Sequence, residues 1–345
     1  MDSVTQFVLG AAIGEACLGS KAGRKAAVWG GILATLPDLD VLIPYADAVD
    51  NFTRHRSFSH SLFVLTLATP VLAYLLQKLY LDFRTWRLRS LLLVWLSLIT
   101  HPLLDSCTVY GTQLFWPLAT APEMWSTVFI IDPVYTLPLL AGVYQVFRKG
   151  TPRRIAHRRN QVALLLSSLY LLFSFYAKSR TDQALQTTLQ YRPDIQATSA
   201  LSIAAPLNTI LWRVVVLDQS GDYFQGFYSL LDQNPEISLR RYDAGAAIKQ
   251  KLRQHGAMQR LQWFTRGFMK ARLDQQGAVI ISDLRMGSAG HYIFHFKIAQ
   301  TSAADGRLVP LHPTERTIAS QMPLSLLAMI WHRIFDPGID LNQLP

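Results

Sequence analysis

Long apolar runs separated by short polar segments fill the first 180 residues of this 345-residue chain. A helix needs about 20 apolar residues to cross a bilayer, and runs of roughly that length recur here. In the whole chain 50% of the residues are hydrophobic and only 16% are charged, whereas soluble domains carry about a quarter charged residues. The pattern therefore predicts a protein that is embedded in a membrane.

Six apolar segments are candidates for transmembrane helices, and several of them contain proline or acidic residues. They cover approximately residues 4–19, 26–46, 58–81, 88–106, 127–147 and 161–178. Acidic side chains at such positions usually face a polar cavity, so some of these helices are expected to be broken or re-entrant. We expect a membrane domain over residues 1–180 that is an all-α, multi-pass bundle of about six transmembrane helices.

Basic residues cluster in the loops that follow the first, third and fifth segments, and the largest cluster covers residues 148–159. Cytoplasmic loops carry an excess of Lys and Arg, so we expect these three loops to be cytoplasmic and the chain beyond residue 180 to lie outside the cytoplasm. The net charge of +10 is then explained largely by topology, and no nucleic-acid binding is expected.

Residues 181–345 resemble a soluble domain in composition and pattern. Segments 212–217 and 223–231 are apolar or alternating and flank a Ser-Gly-Asp turn, which predicts a β-hairpin. A second hairpin is predicted for segments 279–286 and 292–299, with one or two helices over about 244–272. We expect a soluble α+β domain with antiparallel strands; restricting substrate access, binding a partner and recognising a head group are all open as its role.

Aspartate and histidine residues recur near the ends of the predicted membrane helices. In the predicted topology these ends share one membrane face, so residues up to about 100 positions apart should converge. The residues concerned are Asp38, Asp40, His55, His60, His101, Asp105 and Asp132. Clustered carboxylates repel one another unless a cation neutralises them, which favours a metal site over a set of unrelated polar residues.

The chemistry of these side chains is that of a divalent metal site. Imidazole and carboxylate groups are usual ligands of zinc and similar ions, and His101 and Asp105 share one helical face because they are four residues apart. We interpret all seven residues as candidate ligands, with zinc as the first choice and the number of ions open. A bound ion would lower the pKa of its water toward 7, and Asp38, His60 and Asp105 are the candidate catalytic residues.

Arg54 and Arg56 lie beside the histidines and are candidates for binding an anionic group such as a phosphate. Each residue has a simpler reading when it is taken singly. Asp38 and Asp40 could cap a helix that breaks at Pro37. The joint occurrence of all these residues at one predicted membrane face favours the metal site.

Four short motifs sit at or near these residues. They are Pro-Asp-Leu-Asp at 37–40, His-Arg-Ser-Phe-Ser-His-Ser at 55–61, His-Pro-Leu-Leu-Asp at 101–105 and Gly-Thr-Gln-Leu-Phe-Trp-Pro at 111–117. Over about residues 1–150 the chain thereby resembles the YdjM-like family of membrane-bound, metal-dependent hydrolases. The resemblance implies a location in the bacterial inner membrane. Through distant similarity of that family to zinc-dependent phospholipase C proteins, it also implies a helical phosphoesterase site with two or three metal ions.

The chain departs from the family pattern near its first residues. Many members have a Thr-His pair where this chain has Thr5 and Gln6. Because glutamine is a poor zinc ligand, either one metal ion is missing or Asp2 substitutes for the histidine.

The principal hypothesis is a membrane-bound hydrolase in the lipid bilayer that uses metal-activated water on a phosphoester or lipid-related substrate. The alternative is a non-enzymatic membrane scaffold whose outer domain binds an envelope partner. A transporter is the least favoured reading, because the acidic residues lie at helix ends on one side, without a second cluster near the midplane.

Overall fold

A computed structural model gives the structure of residues 1–288, 291–317 and 324–343. The chain divides into two compact units. The first contains Met1–Ile43 and Arg56–Ser174, and the second contains Pro44–His55 and Phe175–Pro345. This division differs from the predicted boundary at residue 180 chiefly because the short segment of residues 44–55 folds with the second unit.

The first unit is built from helices. Helix α1 (Ser3–Gly14) continues through a π-helical turn (Glu15–Gly19) into α2 (Ser20–Ala22), and α3 (Arg24–Thr35) is followed by a 3-10 turn (Pro37–Leu42). Helix α4 (Ala48–Arg54) belongs to the second unit. A second 3-10 turn (Phe58–His60) then precedes α5 (Leu62–Leu79), α6 (Leu81–Thr85), α7 (Arg87–Ser106), α8 (Pro133–Phe147) and α9 (Arg153–Gln190), whose last part lies in the second unit.

Three helices in the described part of the chain are long and apolar enough to cross a membrane, namely α5, α7 and α9. They correspond to the third, fourth and sixth predicted segments. Helix α8 is apolar but shorter, and the first and second segments contain α1 and α3, which have 12 residues each. The helical character of this region is therefore confirmed, whereas six spans are not.

Glycine and alanine residues bring α1 and α3 into close contact. A Cβ atom at Gly10 would collide with Ala34 and the carbonyl of Gly30, and one at Gly14 would collide with the carbonyl of Ala26. Small residues at this spacing allow helix backbones in membrane proteins to approach closely. This packing fixes the end of α3. The carbonyl of Ala34 lies in its last turn, and Asp38 lies in the 3-10 turn that follows it.

The segment between α7 and α8 is irregular but is held by backbone hydrogen bonds. The N–H of Gln113 donates to the carbonyl of Arg56 at 2.9 Å, and the N–H of Leu62 donates to the carbonyl of Leu114 at 2.9 Å. The Gly-Thr-Gln-Leu-Phe-Trp-Pro motif at 111–117 thus fixes both ends of the 3-10 turn that precedes α5. This gives the motif a structural role beside the histidine motif.

The second unit contains two four-stranded antiparallel sheets, which confirms the predicted α+β class. The strand orders are β1-β2-β3-β4 and β10-β9-β6-β5, and β7 pairs with β8. The elements are β1 (Ala197–Ala204), β2 (Leu211–Asp218), β3 (Tyr223–Ser229), β4 (Arg240–Tyr242), α10 (Ala246–Lys251), α11 (Gly256–Thr265), β5 (Met269–Leu273), β6 (Ala278–Asp283), β7 (Gly287–Ser288), β8 (His291–Tyr292), β9 (His295–Thr301), β10 (Leu308–Thr317), α12 (Leu324–Arg333) and a 3-10 turn (Leu341–Gln343).

Both predicted strand pairings are present in the second unit. Strands β2 and β3 form the first hairpin, with Leu217 opposite Tyr223, and β6 pairs with β9 in the second. The predicted turn of that second pair includes residues 289 and 290, which lie outside the described residues. The predicted helical region contains α10 and α11, but its last residues belong to strand β5.

Helix α4 is distant in sequence from the sheets and packs against them through one aromatic side chain. The ring centroid of Phe52 lies 4.9 Å from that of Phe264 and 4.9 Å from that of Phe296. Arg260 Nε donates to Thr53 Oγ1 at 2.8 Å. Burial of Phe52 in this aromatic cluster explains why residues 44–55 belong to the second unit.

Candidate metal centre

Four side chains of the first unit meet in one cluster, namely those of Asp38, His60, His101 and Asp105. Asp38 comes from the 3-10 turn after α3, His60 from the turn before α5, and His101 and Asp105 from successive turns of α7. Each offers one oxygen or nitrogen atom, and these atoms all lie within 4.8 Å of one another. The convergence that the sequence predicted is present for these four residues, and their role as metal ligands stays a prediction.

The distances within this cluster suit a single small cation. His101 Nε2 lies 3.1 Å from His60 Nε2, 3.3 Å from Asp38 Oδ1 and 3.6 Å from Asp105 Oδ2. His60 Nε2 lies 3.5 Å from Asp38 Oδ1 and 3.4 Å from Asp105 Oδ2. Zinc binds nitrogen and oxygen at about 2.0–2.1 Å, and a tetrahedron of that size has edges of about 3.3 Å. Five of the six donor–donor distances are therefore close to the edges of such a tetrahedron, and the donor atoms of Asp38 and Asp105 lie within 4.8 Å of each other.

Burial and charge also fit a bound cation. Three of the four side chains are fully buried, and only that of Asp38 is partly exposed, at 26%. Asp105 Oδ2 is buried and lies 2.9 Å from Arg56 Nε and 3.4 Å from His60 Nε2. The three carboxylates of Asp38, Asp40 and Asp105 outnumber the two cationic groups beside them, the guanidinium of Arg56 and the amino group of Met1, so a bound cation would reduce the remaining negative charge.

Hydrogen bonds at Nδ1 orient both histidine rings. His101 Nδ1 lies 2.5 Å from the carbonyl oxygen of Ala34, which can only accept, so Nδ1 carries the proton. Ser59 Oγ donates to Asp40 Oδ2 at 2.6 Å and therefore accepts from His60 Nδ1 at 2.9 Å. In both rings the lone pair of Nε2 is left facing the cluster, which is the arrangement of a metal-binding histidine.

Asp40 lies behind the cluster. Its Oδ2 atom accepts hydrogen bonds from Ser59 Oγ at 2.6 Å and from the N–H of Arg56 at 2.9 Å, and it lies 3.7 Å from His60 Nδ1. Of the two aspartates of the Pro-Asp-Leu-Asp motif, Asp38 faces the histidine Nε2 atoms, whereas Asp40 supports the other side of the His60 ring.

Asp105 is held by further polar groups. Arg56 Nε lies 2.9 Å from Oδ2, and Gln6 Nε2 donates to Oδ1 at 2.9 Å and to the carbonyl of His101 at 3.2 Å. The amino group of Met1 also contacts Oδ1. Gln6 thus serves as a hydrogen-bond donor that orients a cluster carboxylate, a role that a neutral amide fills well.

The other predicted site residues lie elsewhere and are not members of the group of four. Asp132 caps α8, with Oδ1 accepting from the N–H of Val134 at 3.0 Å and Oδ2 accepting from the Tyr170 hydroxyl at 2.8 Å. His55 is the C-cap residue of α4 in the second unit. Metal binding by His55 or Asp132 stays a prediction from the sequence.

The two predicted anion-binding arginines have different surroundings. Arg54 belongs to the second unit, is exposed and pairs with Asp50 at 3.2 Å. Arg56 is buried, with its guanidinium beside Asp105 and 4.9 Å from the centroid of the Tyr110 ring. Arg56 therefore neutralises a cluster carboxylate in this structure, and phosphate binding by either arginine stays a prediction.

Replacing Asp40 with alanine is expected to weaken metal binding by roughly 10–100-fold, the range typical of groups that orient metal ligands. The substitution leaves the Ser59 hydroxyl without its acceptor and frees the His60 ring to turn. Competition with a chromogenic chelator measures the affinity, and Asp50→Ala in the second unit serves as a matched control. Wild-type affinity in the Asp40→Ala protein would contradict the orienting role.

Comparisons with known proteins place the chain among membrane proteins. The model of the family "YdjM inner membrane protein" matches residues 1–181. The inner membrane protein YbcI of Escherichia coli (strain K12) is 39% identical over 101 residues, which are 29% of this chain and 57% of YbcI. The protein YfhP of Bacillus subtilis (strain 168) is 24% identical over 270 residues, which are 72% of this chain and 76% of YfhP. No solved structure matches the chain. Because the family model covers more than half of its length, the chain belongs to the YdjM inner membrane protein family.

Proposed function

We propose that this protein is a membrane-bound, metal-dependent hydrolase that acts on a phosphoester or lipid-related substrate. The observation that carries the proposal is the cluster of four donor side chains, of which three are fully buried and one, Asp38, is open to solvent. Membership in an inner membrane family and the apolar helices α5, α7 and α9 support a membrane setting. When bound, a divalent ion such as zinc would supply an acidified water as nucleophile near neutral pH.

His60, His101 and Asp105 are the residues best placed to hold the ion, because all three are fully buried and supported from behind. The Ala34 carbonyl keeps the Nδ1 proton of His101 in place. Arg56 beside Asp105 favours the ionised carboxylate, which is the form that binds a cation. These supporting contacts would keep the donors in position before an ion or a substrate arrives.

Asp38 is the member of the cluster that solvent can reach, since its side chain is 26% exposed. A carboxylate in contact with both solvent and the reacting group is a natural acceptor for a proton from water. Catalytic zinc sites keep one coordination position open, and the proposal assigns Asp38 to that open side. The phosphoester class is supported by the motif resemblance at 37–40, 55–61 and 101–105.

Hydrolysis by the zinc-loaded, full-length protein in detergent tests this proposal. Suitable substrates are bis(p-nitrophenyl) phosphate and a short-chain phospholipid in mixed micelles. We expect a turnover that a chelator abolishes and added zinc restores. Asp38→Asn should lower the rate by roughly 10²–10⁴-fold, whereas His332→Ala, at an exposed residue of the second unit, should leave it unchanged. If neither substrate is hydrolysed, or if the chelator does not change the rate of hydrolysis, the hydrolase proposal is wrong.

A second candidate function is a non-enzymatic membrane scaffold with a structural metal ion, whose second unit binds an envelope partner. The observation that favours it is the number of donors, because four protein ligands complete a tetrahedral shell as in structural zinc sites. Asp38→Ala separates the two functions. If the protein is a hydrolase, the variant should keep its metal ion, held by the three remaining donors, and lose turnover. If the protein is a scaffold, the variant should lose the ion and melt at a lower temperature.

A further inference from the structure

The first turns of α9 use some of their polar residues to hold the helix against α1. Arg153 forms an ion pair with the buried carboxylate of Glu15, and His157 Nδ1 lies 3.1 Å from Glu15 Oε1. Asn160 Nδ2 donates to the carbonyl of Ala12 at 2.8 Å. These contacts fix this end of α9 in the first unit and supply counter-charges to Glu15.

Three other arginines of the same turns are exposed and surround a surface cleft. The cleft has a volume of about 410 Å³ and is lined by Arg154, Ile155, Arg158, Arg159 and Val162. A hydrogen bond from Arg159 Nη1 to Gln145 Oε1 at 2.8 Å anchors Arg159 to the last turns of α8. The cleft is therefore basic on its polar side and has one preorganised guanidinium.

The local sequence supplies no acidic residue to balance these charges. Residues 153–181 contain no Asp or Glu, and the Glu15 carboxylate already faces Arg153 and His157. Like charges at i and i+4, as at Arg154 and Arg158, destabilise a helix. An anion in the cleft would convert this repulsion into attraction.

The surface of α9 next to the arginines is exposed and apolar. Leu165, Leu166 and Leu169 are 58%, 52% and 51% exposed, and α9 is one of the three helices that could cross a membrane. The basic cleft thus lies next to an apolar helix surface, with Leu165 and Leu166 about two helical turns beyond Arg158 and Arg159. A basic surface followed along the helix by an apolar surface matches the chemistry of a lipid, whose charged head group is joined to acyl chains.

We propose that the cleft formed by Arg154, Arg158 and Arg159 binds the head group of an anionic phospholipid, whose acyl chains lie along the exposed leucines of α9. Guanidinium groups bind phosphate oxygens through paired hydrogen bonds. Basic residues beside a membrane span attract anionic lipids. A free phosphate would gain nothing from the apolar surface, so the lipid is the better match. This inference is independent of the proposed hydrolase activity.

Native mass spectrometry of the full-length protein in detergent tests the inference, with phosphatidylglycerol and phosphatidylcholine of identical acyl chains as probes. The wild-type protein should retain phosphatidylglycerol in preference to phosphatidylcholine. The triple change Arg154→Gln, Arg158→Gln and Arg159→Gln should lower phosphatidylglycerol binding by roughly 100-fold.

Two further variants serve as controls for charge and for folding. Changing the exposed second-unit residues Arg253, Arg272 and Arg307 to glutamine removes the same charge and should preserve the preference. Changing the three α9 arginines to lysine retains the positive charge and should also preserve the preference for phosphatidylglycerol. This variant tests the inference if the glutamine variant does not fold. Equal binding of both lipids by the wild type, loss of the preference in either control, or displacement of the lipid by millimolar inorganic phosphate would overturn the inference.

Discussion

Replacing His60 with alanine is expected to empty the metal centre. The side chain is fully buried, and its Nε2 atom lies 3.1–3.5 Å from the donor atoms of His101, Asp105 and Asp38. Its removal takes away one of four donors and the hydrogen bond that His60 Nδ1 donates to Ser59 Oγ. Loss of an orienting group already costs about 10–100-fold in affinity, so loss of a donor should exceed about 100-fold.

Elemental analysis of detergent-purified protein after equilibration with zinc measures this effect. His332→Ala is the matched control, because His332 is an exposed histidine of the second unit, outside the group of four. The control should hold as much metal as the wild type. A His60→Ala protein that melts cooperatively and retains the wild-type metal content would contradict the assignment of His60.

Arg56→Met is expected to destabilise the metal-free protein by about 3–5 kcal/mol, the cost of leaving one member of a buried ion pair without its partner. Arg56 is 4% exposed and its Nε lies 2.9 Å from Asp105 Oδ2. Arg54→Met is the matched control, because Arg54 forms an exposed i,i+4 pair with Asp50. Such pairs contribute only about 0.3–0.5 kcal/mol.

Thermal unfolding of the two methionine variants in detergent distinguishes these effects, first with a chelator and then with zinc. A divalent ion also neutralises Asp105, so the difference between the variants should shrink when zinc is bound. Equal melting temperatures for the two variants in the metal-free state would show that Arg56 does not carry the counter-charge of Asp105.

The convergence of the four cluster residues could be predicted because it follows from topology. Successive helices that reverse direction bring alternate ends together, and Asp38, His60 and His101 each lie near such an end. The spacing of His101 and Asp105 places both on one face of α7. Neither inference needs knowledge of how the side chains pack.

The sequence could not predict which of two neighbouring residues of the same type contributes to the cluster. Asp38 and Asp40 occupy a 3-10 turn, and the tight turn decides which carboxylate faces the histidines. Arg54 and Arg56 lie on opposite sides of the division between the units, which no local pattern marks. The carbonyl of Ala34, which accepts a hydrogen bond from His101, could not be predicted either, because every residue has a backbone carbonyl and the residue type does not show which one will accept.

The number of membrane spans and the position of residues 44–55 in the second unit could not be predicted from the sequence, because both depend on tertiary packing. Apolar composition does not distinguish a spanning helix from one buried among others, and α1 and α3 pack closely through Gly10, Gly14 and Gly30. Phe52 finds its aromatic partners more than 200 residues later in the chain. By contrast, the β2–β3 hairpin was predictable, because the strands and their turn are adjacent in sequence.

X-ray absorption spectroscopy at the zinc edge of the zinc-loaded, full-length protein tests most directly whether these four side chains hold one ion. The expected spectrum shows only nitrogen and oxygen donors at about 2.0–2.1 Å, with outer-shell scattering from two imidazoles. Sulfur at about 2.3 Å, as Cys17 or Cys107 would give, or a zinc ion without imidazole, would contradict a centre built from Asp38, His60, His101 and Asp105.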